Sequence, residues 1–157
     1  MLSIILPPKP ALGSETMKID PITEHLVRFV SGTHVAIYRL CGGISPLNRN
    51  TLILTTRGRK TGRQIAKPLL YVEHDGRLYL VASCGGSDSP PGWYLNLVAN
   101  PEVSVERGWA RKPCRARTLS NEEALSVWPK LLAMYPAYAD YQKKTSRLIP
   151  IVELTPD

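Results

Sequence analysis

The hydrophobic positions near the start of the chain follow a helical spacing. Between residues 22 and 41, apolar residues recur at intervals of three, four and seven, which predicts an amphipathic helix. Asp20-Pro21 supplies an N-cap and a proline for the first helical position, and Gly42-Gly43 is a stop signal. Residues 1–19 contain proline and glycine and show no period. We therefore expect a flexible N-terminal arm over 1–19 and a single domain over 20–157.

From Thr51 onward, short apolar and β-branched runs replace the helical spacing. They predict strands over 51–56, 69–73, 78–82, 103–105, 110–119 and 148–154. Asp75-Gly76 lies between the second and third of these runs. It is a strong signal for a two-residue hairpin, because both positions tolerate a positive φ. Arg107-Gly108 is a further turn, between the fourth and fifth runs.

Helices are predicted between and after these strands. A loop rich in Gly, Ser and Pro over 84–92 precedes a short helix over 93–99. Ser120 and Glu123 form a capping-box pattern that opens a longer helix, which is broken or redirected at Pro136. Short, mainly antiparallel strands with helices at the start, middle and end predict an α+β fold, namely a small barrel with flanking helices. The lack of a βαβ pattern and of repeats argues against a Rossmann sheet and a solenoid.

The charge of the chain is concentrated in two places. The chain has 157 residues, 43% of them hydrophobic, and a net charge of +7, which suits one globular domain. Segments 57–67 and 107–117 each hold five basic residues and no acidic one, and the remainder is slightly acidic. Each segment is either a solvated basic edge or a focused site for an anion. The anion is a nucleic acid, a membrane surface, or a phosphorylated or carboxylated small molecule.

Several other kinds of site and protein are disfavoured. No apolar run approaches the roughly 20 residues of a membrane-spanning helix, and the start lacks the basic residues of a signal peptide. Cys41, Cys84 and Cys114 form no CxxC pair, which favours a reducing compartment and hence the cytoplasm. The three histidines lie in no metal-ligand spacing, so no metal is expected. Lys60-Thr61 does not complete a P-loop. No acid–base dyad is visible, so an enzyme here would rely on a cofactor.

Five stretches of the chain, taken together and in order, resemble the deazaflavin-dependent nitroreductase family, also described as F420H2-dependent quinone reductases. They are TLILTTRGRKTGR, PLLYVEHDGRLYLVAS, GGSDSPPGWYLNLVANPEVSV, MYPAYADYQKKT and IPIVEL. The resemblance spans about residues 34–156. It implies a split β-barrel like that of pyridoxamine-phosphate oxidases and flavin reductases, with reduced coenzyme F420 as cofactor. It also implies hydride transfer to a small organic acceptor, either a quinone, an enone-like compound or a nitroaromatic.

The resemblance further implies a cofactor-binding surface. F420 carries a flat deazaflavin ring, a phosphodiester and an acidic tail, which suits a glycine-flanked cationic loop. The phosphate-binding loop matches Arg59, Lys60, Thr61 and Gly62. The segment along the ring matches Lys67, Pro68 and Leu69, and the region near the tail and the ring edge matches Ala82, Ser83 and Gly85-Gly86. Trp93 matches an aromatic residue beside the cofactor; the alternative interpretation is a core anchor, and the two roles are compatible.

The same resemblance assigns tyrosines to the ring and the acceptor pocket, with one hydroxyl or a water molecule supplying the proton. They are Tyr135, Tyr138 and Tyr141. On pattern alone, a stripe of core tyrosines is the first interpretation. Two positions depart from the family pattern: Cys84 stands where many relatives have Lys, and Ile65 where they have Arg. Arg63 and Lys67 are the expected replacements for the missing cations.

Two other functions are consistent with the sequence. One is the same barrel binding FMN. The other is a non-enzymatic module that binds an anionic surface, although the basic segments lack the interleaved aromatic residues typical of nucleic-acid binding. The predicted partners are a small-molecule electron acceptor and no nucleic acid, with the chain a monomer or a homodimer. Contact of residues 1–19 and 22–41 with the inner face of the cell membrane is a further possibility.

Overall fold

The computed structural model describes residues 32–41 and 49–157, and within them the chain forms one sheet and several helices. The strands are β1 Thr51–Arg57, β2 Gln64–Leu70, β3 Val72–His74, β4 Arg77–Val81, β5 Glu102–Arg107, β6 Ala110–Thr118 and β7 Ile151–Pro156. Residues 32–40 are helical and are called α1. The other helices are α2 Gly92–Ala99, α3 Asn121–Met134 and α4 Ala137–Lys144, with a short 3₁₀ turn at Cys84–Gly86. No helix in this part of the chain has the length and apolar character needed to cross a membrane.

The sheet is curled so that its two edge strands come close to each other. The strand order is β2-β1-β5-β6-β7-β4-β3, and every neighbouring pair is antiparallel. The edge strands β2 and β3 are nevertheless separated in sequence by Tyr71 alone. Since one residue spans less than about 4 Å, the first and last strands of the sheet lie side by side at this point. The predicted fold class, an α+β split β-barrel with flanking helices, is confirmed.

The predicted strand over 69–73 is wrong in its boundaries. Its residues belong to two strands, because the chain turns at Tyr71 to pass from one edge of the sheet to the other. β2 begins at Gln64, inside the segment interpreted as a basic loop, and pairs with β1 from Arg57–Gln64 through Thr51–Leu70. Hairpin pairing with the apolar β1 outweighs the weak hydrophobic pattern of β2. Pro68 is tolerated there because β2 is an edge strand.

Most other predicted elements agree closely with the structure, but the last strand, predicted over 148–154, is observed over Ile151–Pro156. Asp75 and Gly76 both have positive φ, at 50° and 72°, and form the predicted hairpin turn between β3 and β4. Ser120 caps α3 in a full capping box with Glu123. α3 ends before Pro136, after which α4 begins. The predicted helix over 22–41 is confirmed for residues 32–40, while its start, its stop signal and the arm over 1–19 lie outside the described residues.

Two helical layers cover the outside of the barrel, and α2 packs into its core. The interior is formed by residues such as Leu52, Leu54 and Leu80, together with Trp93 and Leu97 of α2. On one outer face α1 places Val35 and Tyr38 against Ile53 of β1. On the other, α3 and α4 cover β4 and β7, with buried side chains that include Val127, Leu131 and Tyr138.

Glu153 of β7 is a buried carboxylate held by groups from two other strands. It is 5% exposed and accepts hydrogen bonds from Arg77 at 3.0 Å, Arg117 at 3.1 Å and Tyr79 at 3.2 Å. Burial alone would raise the pKa of Glu153, but the two arginines hold it below its ordinary value of 4.5. The ionised carboxylate therefore stabilises β4, β6 and β7 together.

Glu153→Gln is expected to lower the free energy of unfolding by roughly 1.5–3 kcal/mol at pH 7, because charged hydrogen bonds become neutral ones. The stability that Glu153 contributes is present above its unfolded pKa and is lost as the pH falls through the lower folded pKa. The variant should therefore lose less stability than the wild type on acidification, as measured by urea unfolding at pH 7 and pH 4. Glu102→Gln, an exposed position on β5, is the control and should change neither curve. Equal unfolding midpoints for Glu153→Gln and the wild type at pH 7 would contradict the prediction.

Candidate cofactor site

The loop between β1 and β2 is a tightly closed hairpin over residues 58–63. The amide of Gly58 donates to the carbonyl of Arg63 at 2.8 Å, and the amide of Gly62 donates to the carbonyl of Gly58 at 2.7 Å. Gly62 has φ +68°, a left-handed conformation that strongly favours glycine. The loop therefore holds its basic residues on a fixed backbone.

A buried asparagine anchors this loop to the body of the protein. Asn96 of α2 is 5% exposed and accepts from both the backbone amide and the guanidinium of Arg59, each at 3.2 Å. Its own side-chain amide donates to the Thr56 hydroxyl at 3.2 Å. Sequence reasoning missed Asn96, although a lone polar residue inside the apolar run WYLNLVA was a signal for it. One consequence is that Arg59, a predicted phosphate ligand, is partly engaged in holding the loop.

The tip of the loop keeps unused donors. The amides of Lys60 and Thr61 make no hydrogen bond within residues 32–41 and 49–157, and the side chains of Arg57, Lys60 and Arg63 form no ion pair there. These residues are all exposed. Backbone amides and cations gathered on a rigid, exposed turn are what a phosphate or carboxylate group requires. The residues present thus fit the anionic part of a cofactor such as F420.

The second basic segment, 107–117, has a different environment. Arg107 pairs with Glu73, and Arg117 pairs with both Glu123 and Glu153. Arg111 donates to Ser104 at 2.8 Å. Of the five basic residues of this segment, only Lys112 and Arg115 have no polar side-chain partner in the described part of the chain. Two segments with equal charge in sequence are therefore unequal in structure, and the first is the better anion site.

The turn over 82–87 follows β4 and holds three of the predicted cofactor residues. Ala82 and Ser83 are buried, whereas Cys84 and Gly85 are exposed. The carbonyls of Ala82 and Ser83 both accept from Arg147, at 3.0 and 2.9 Å. Since the Ala82 amide also donates to the carbonyl of Pro150, Ala82 has no free backbone group. Cys84 and Gly85 are the accessible part of the turn.

The three predicted tyrosines form one cluster, with Tyr135 directly after α3 and Tyr138 and Tyr141 on α4. The hydroxyls of Tyr135 and Tyr141 are hydrogen-bonded at 3.1 Å, and the ring centroids of Tyr135 and Tyr138 are 5.0 Å apart. Tyr138 lies in the core and is 5% exposed; burial raises its pKa to about 12. The pKa of Tyr141 is raised first by its hydrogen bond to Tyr135. Both of these phenols stay protonated at neutral pH.

The cluster and the turn over 82–87 are in direct contact. Gly86 has φ +86°, and a Cβ added to it would lie 2.8 Å from the backbone oxygen of Tyr141 and 3.0 Å from the Cβ of Lys144. α4 therefore rests on Gly86. The structure brings together the predicted tyrosines and the predicted turn, which are about 50 residues apart in sequence.

The remaining predicted residues are placed less uniformly. Leu69 packs against the barrel core and Trp93 lies within it at 8% exposure. Along β2, Lys67 and Leu69 share one face of the strand and Pro68 lies on the other, so these three do not present a single surface. Ile65, which departs from the family pattern, is 37% exposed on the same strand.

Two clefts lie away from these residues. One of about 330 Å³ is lined by Asn50, Tyr71, Val72, Glu73, Lys130 and Met134. The other, of about 280 Å³, lies by the β3–β4 and β5–β6 turns. No predicted site residue is among those that line them.

Comparison with known proteins identifies the family. The family model described as F420H(2)-dependent quinone reductase matches residues 30–156. An F420H(2)-dependent quinone reductase of Mycobacterium tuberculosis is 38% identical over 131 residues, which are 78% of this chain and 87% of the relative. A solved structure of an F420-H2 dependent reductase is 42% identical, with a TM-score of 0.63, covering 68% of this chain and 95% of that one.

A second solved structure, described as a domain-swapped dimer, is 37% identical, with a TM-score of 0.65, covering 85% of this chain and 96% of that one. With the curled sheet and the cationic loop, these relatives define the class: this chain is an enzyme, an F420H2-dependent reductase. Its cofactor is reduced coenzyme F420. The chain belongs to the F420H(2)-dependent quinone reductase family.

Proposed function

We propose that this enzyme reduces a quinone by hydride transfer from reduced F420, with enone-like compounds and nitroaromatics as further acceptors. When bound, the deazaflavin supplies the hydride. The quinone takes up this hydride and one proton and becomes the hydroquinone, while F420H2 becomes F420. The protein contributes binding, orientation and a proton donor.

The observation that carries the proposal is the hairpin tip with its unused donors. Lys60 and Arg63 form no ion pair among the described residues, and two backbone amides beside them are free. An exposed tip of this kind suits the phosphodiester or the acidic tail of the cofactor. Arg59 is shared between this role and the anchor at Asn96.

The tyrosine cluster supports the role of proton donor. Tyr135 and Tyr141 are half-buried, and each hydroxyl can donate to or accept from the other. A phenol that stays protonated at neutral pH can donate a hydrogen bond to the acceptor oxygen as negative charge develops there. The buried ring of Tyr138 packs against the rings of Tyr135 and Tyr141 and supports both.

The direct test mixes the purified protein with F420H2 and menadione and follows the deazaflavin absorbance. We expect oxidation of F420H2 that requires both protein and quinone. The FMN alternative predicts instead a yellow purified protein with flavin fluorescence. If the protein neither binds nor oxidises F420H2, the proposed function is wrong.

Replacing the two hydroxyls of the tyrosine pair should slow the chemical step. We expect Tyr135→Phe or Tyr141→Phe to lower kcat about tenfold and the double variant about 100-fold, within the range of general acid catalysis. The KM for F420H2 should change little. Tyr94→Phe, which removes a hydroxyl bonded to Thr118, is the control and should keep the wild-type kcat. A double variant with wild-type kcat would remove the tyrosines from the mechanism.

Location and assembly stay predictions. We infer a cytoplasmic enzyme, and contact of residues 1–19 and 22–41 with the inner face of the membrane would bring it to a lipid quinone. Deleting residues 1–19 and measuring liposome association tests that contact. A solved relative is described as a domain-swapped dimer, which favours the homodimer among the two predicted states.

A further inference from the structure

The turn over 82–87 holds an unusual backbone shape. Cys84, Gly85 and Gly86 have φ values of 48°, 65° and 86°. Three successive residues in the left-handed region are rare, and Cys84 is not a glycine, so its conformation is strained. Such a turn persists only where the surroundings hold it.

Arg147 is the residue that holds the turn. Its Nε donates to the carbonyl of Ser87 at 2.8 Å. Its Nη2 donates to the carbonyls of Ala82 and Ser83 at 3.0 and 2.9 Å. The guanidinium thus binds both ends of the turn at once, which its planar fork of donors is well suited to do.

Arg147 is in turn fixed from the α4 side. The side-chain amide of Gln142 on α4 donates to the backbone carbonyl of Arg147 at 2.8 Å. The backbone amide of Arg147 donates to the Thr145 hydroxyl at 3.3 Å. The Thr145 hydroxyl donates to the carboxylate of Asp88 at 2.7 Å. The guanidinium is therefore a rigid link between the turn and the helix that carries Tyr141.

The guanidinium of Arg147 makes no direct contact with a carboxylate of the described residues. It forms no ion pair with any described residue. Its Nη1 is buried and has no hydrogen-bond partner there. On the same turn, the amides of the exposed residues Cys84 and Gly85 make no hydrogen bond within the described residues. A positive charge on the same turn as free amides favours an anionic group at its exposed residues.

We propose that Arg147 is a positioning residue of the reductase. It holds the turn over 82–87 in its strained shape and gives it a positive potential, so that the turn binds a carboxylate or phosphate group of reduced F420. The β1–β2 hairpin and this turn are then two anchor points for one extended anionic ligand. The inference rests on the proposed function, because it takes F420 as that ligand.

Two variants separate the planar hydrogen-bonding geometry of the Arg147 guanidinium from its positive charge. Arg147→Lys keeps the charge and loses the fork, whereas Arg147→Gln loses the charge. We expect the Kd for F420 to rise about threefold in the first and more than about tenfold in the second, in line with charged hydrogen bonds. Only Arg147→Gln should also weaken the dependence of Kd on salt. Arg115→Gln, an exposed cation on β6, is the matched control and should bind as the wild type does.

A readout without turnover completes the test. In the absence of F420, amide hydrogen exchange over 83–87 should be faster in both Arg147 variants than in the wild type. In the wild type, adding F420 should slow it. If Arg147→Gln keeps the wild-type Kd and salt dependence, the inference is overturned. The inference is also overturned if F420 binds the wild type without slowing this exchange. That measurement uses the wild-type protein alone, so it does not depend on the folding of a variant. Failure of the wild type to bind F420 would instead overturn the proposed function.

Discussion

Replacing Lys60 and Arg63 together with alanine is expected to raise the Kd of reduced F420 about 100-fold. Each side chain would lose a charged hydrogen bond, worth about 1.5 kcal/mol at an exposed site, and about 1.4 kcal/mol corresponds to a factor of ten. The loop itself should survive, because its closure depends on Gly58, Gly62 and the Asn96 anchor. Titration of F420 into the purified variant measures the effect.

The second basic segment provides the matched control. The double variant Lys112→Ala with Arg115→Ala also removes one lysine and one arginine charge. These side chains, too, form no ion pair among the described residues. We expect this double variant to change Kd less than about threefold, through long-range charge alone. If both double variants lost affinity equally, the net charge of the protein and not the hairpin would be responsible, and the assignment of the loop would fail.

Gly86→Ala is expected to lower the free energy of unfolding by about 3 kcal/mol. The alanine would have to keep a left-handed backbone φ, which costs about 1–2 kcal/mol. Its Cβ would also press on the backbone of Tyr141 and on Lys144, and this overpacking costs about 1–3 kcal/mol. Because backbone atoms cannot rotate away, α4 must shift. The expected result is a lower midpoint of urea unfolding together with a lower kcat, since the Tyr135–Tyr141 pair moves with α4.

Gly85→Ala is the neighbouring control. Gly85 also has a positive φ, +65°, but a Cβ there would meet nothing within 4 Å. It should therefore cost only the conformational part, about 1 kcal/mol. The difference between the two variants isolates the contact between the turn and α4. Equal losses in both would mean that α4 does not rest on Gly86.

Short-range signals allowed much of the fold to be predicted. The Asp75-Gly76 turn, the capping box at Ser120 and the break at Pro136 depend on a few adjacent residues, and each is in place. The start of β2 could not be predicted, because its strand character comes from pairing with β1 and not from its own pattern. The split of the run over 69–73 depends on sheet closure, which no local signal at Tyr71 encodes.

The sequence pattern revealed the charged loop and the tyrosines of the candidate site, but not the residues that hold them in place. The GRKTG loop and the tyrosine triplet are visible as motifs, and the structure shows both as local groups. The neutralisation of segment 107–117 was not visible, because its partners Glu73, Glu123 and Glu153 lie elsewhere in the sequence. Arg147 and Asn96 act on backbone groups and on a loop 60 and 37 residues away, which a linear pattern does not reveal.

The passage of the chain through Tyr71 has a consequence for association between molecules. Edge strands expose rows of unpaired amides and carbonyls that invite strand addition and aggregation. Here the link at Tyr71 brings one end of β2 beside one end of β3, so each edge limits access to the other at that point. β3 is only three residues long, and β2 carries Lys67 and Pro68. Short edge strands, lysine and proline all disfavour pairing of an edge with another strand. The seam of the barrel thus protects the sheet against intermolecular strand pairing.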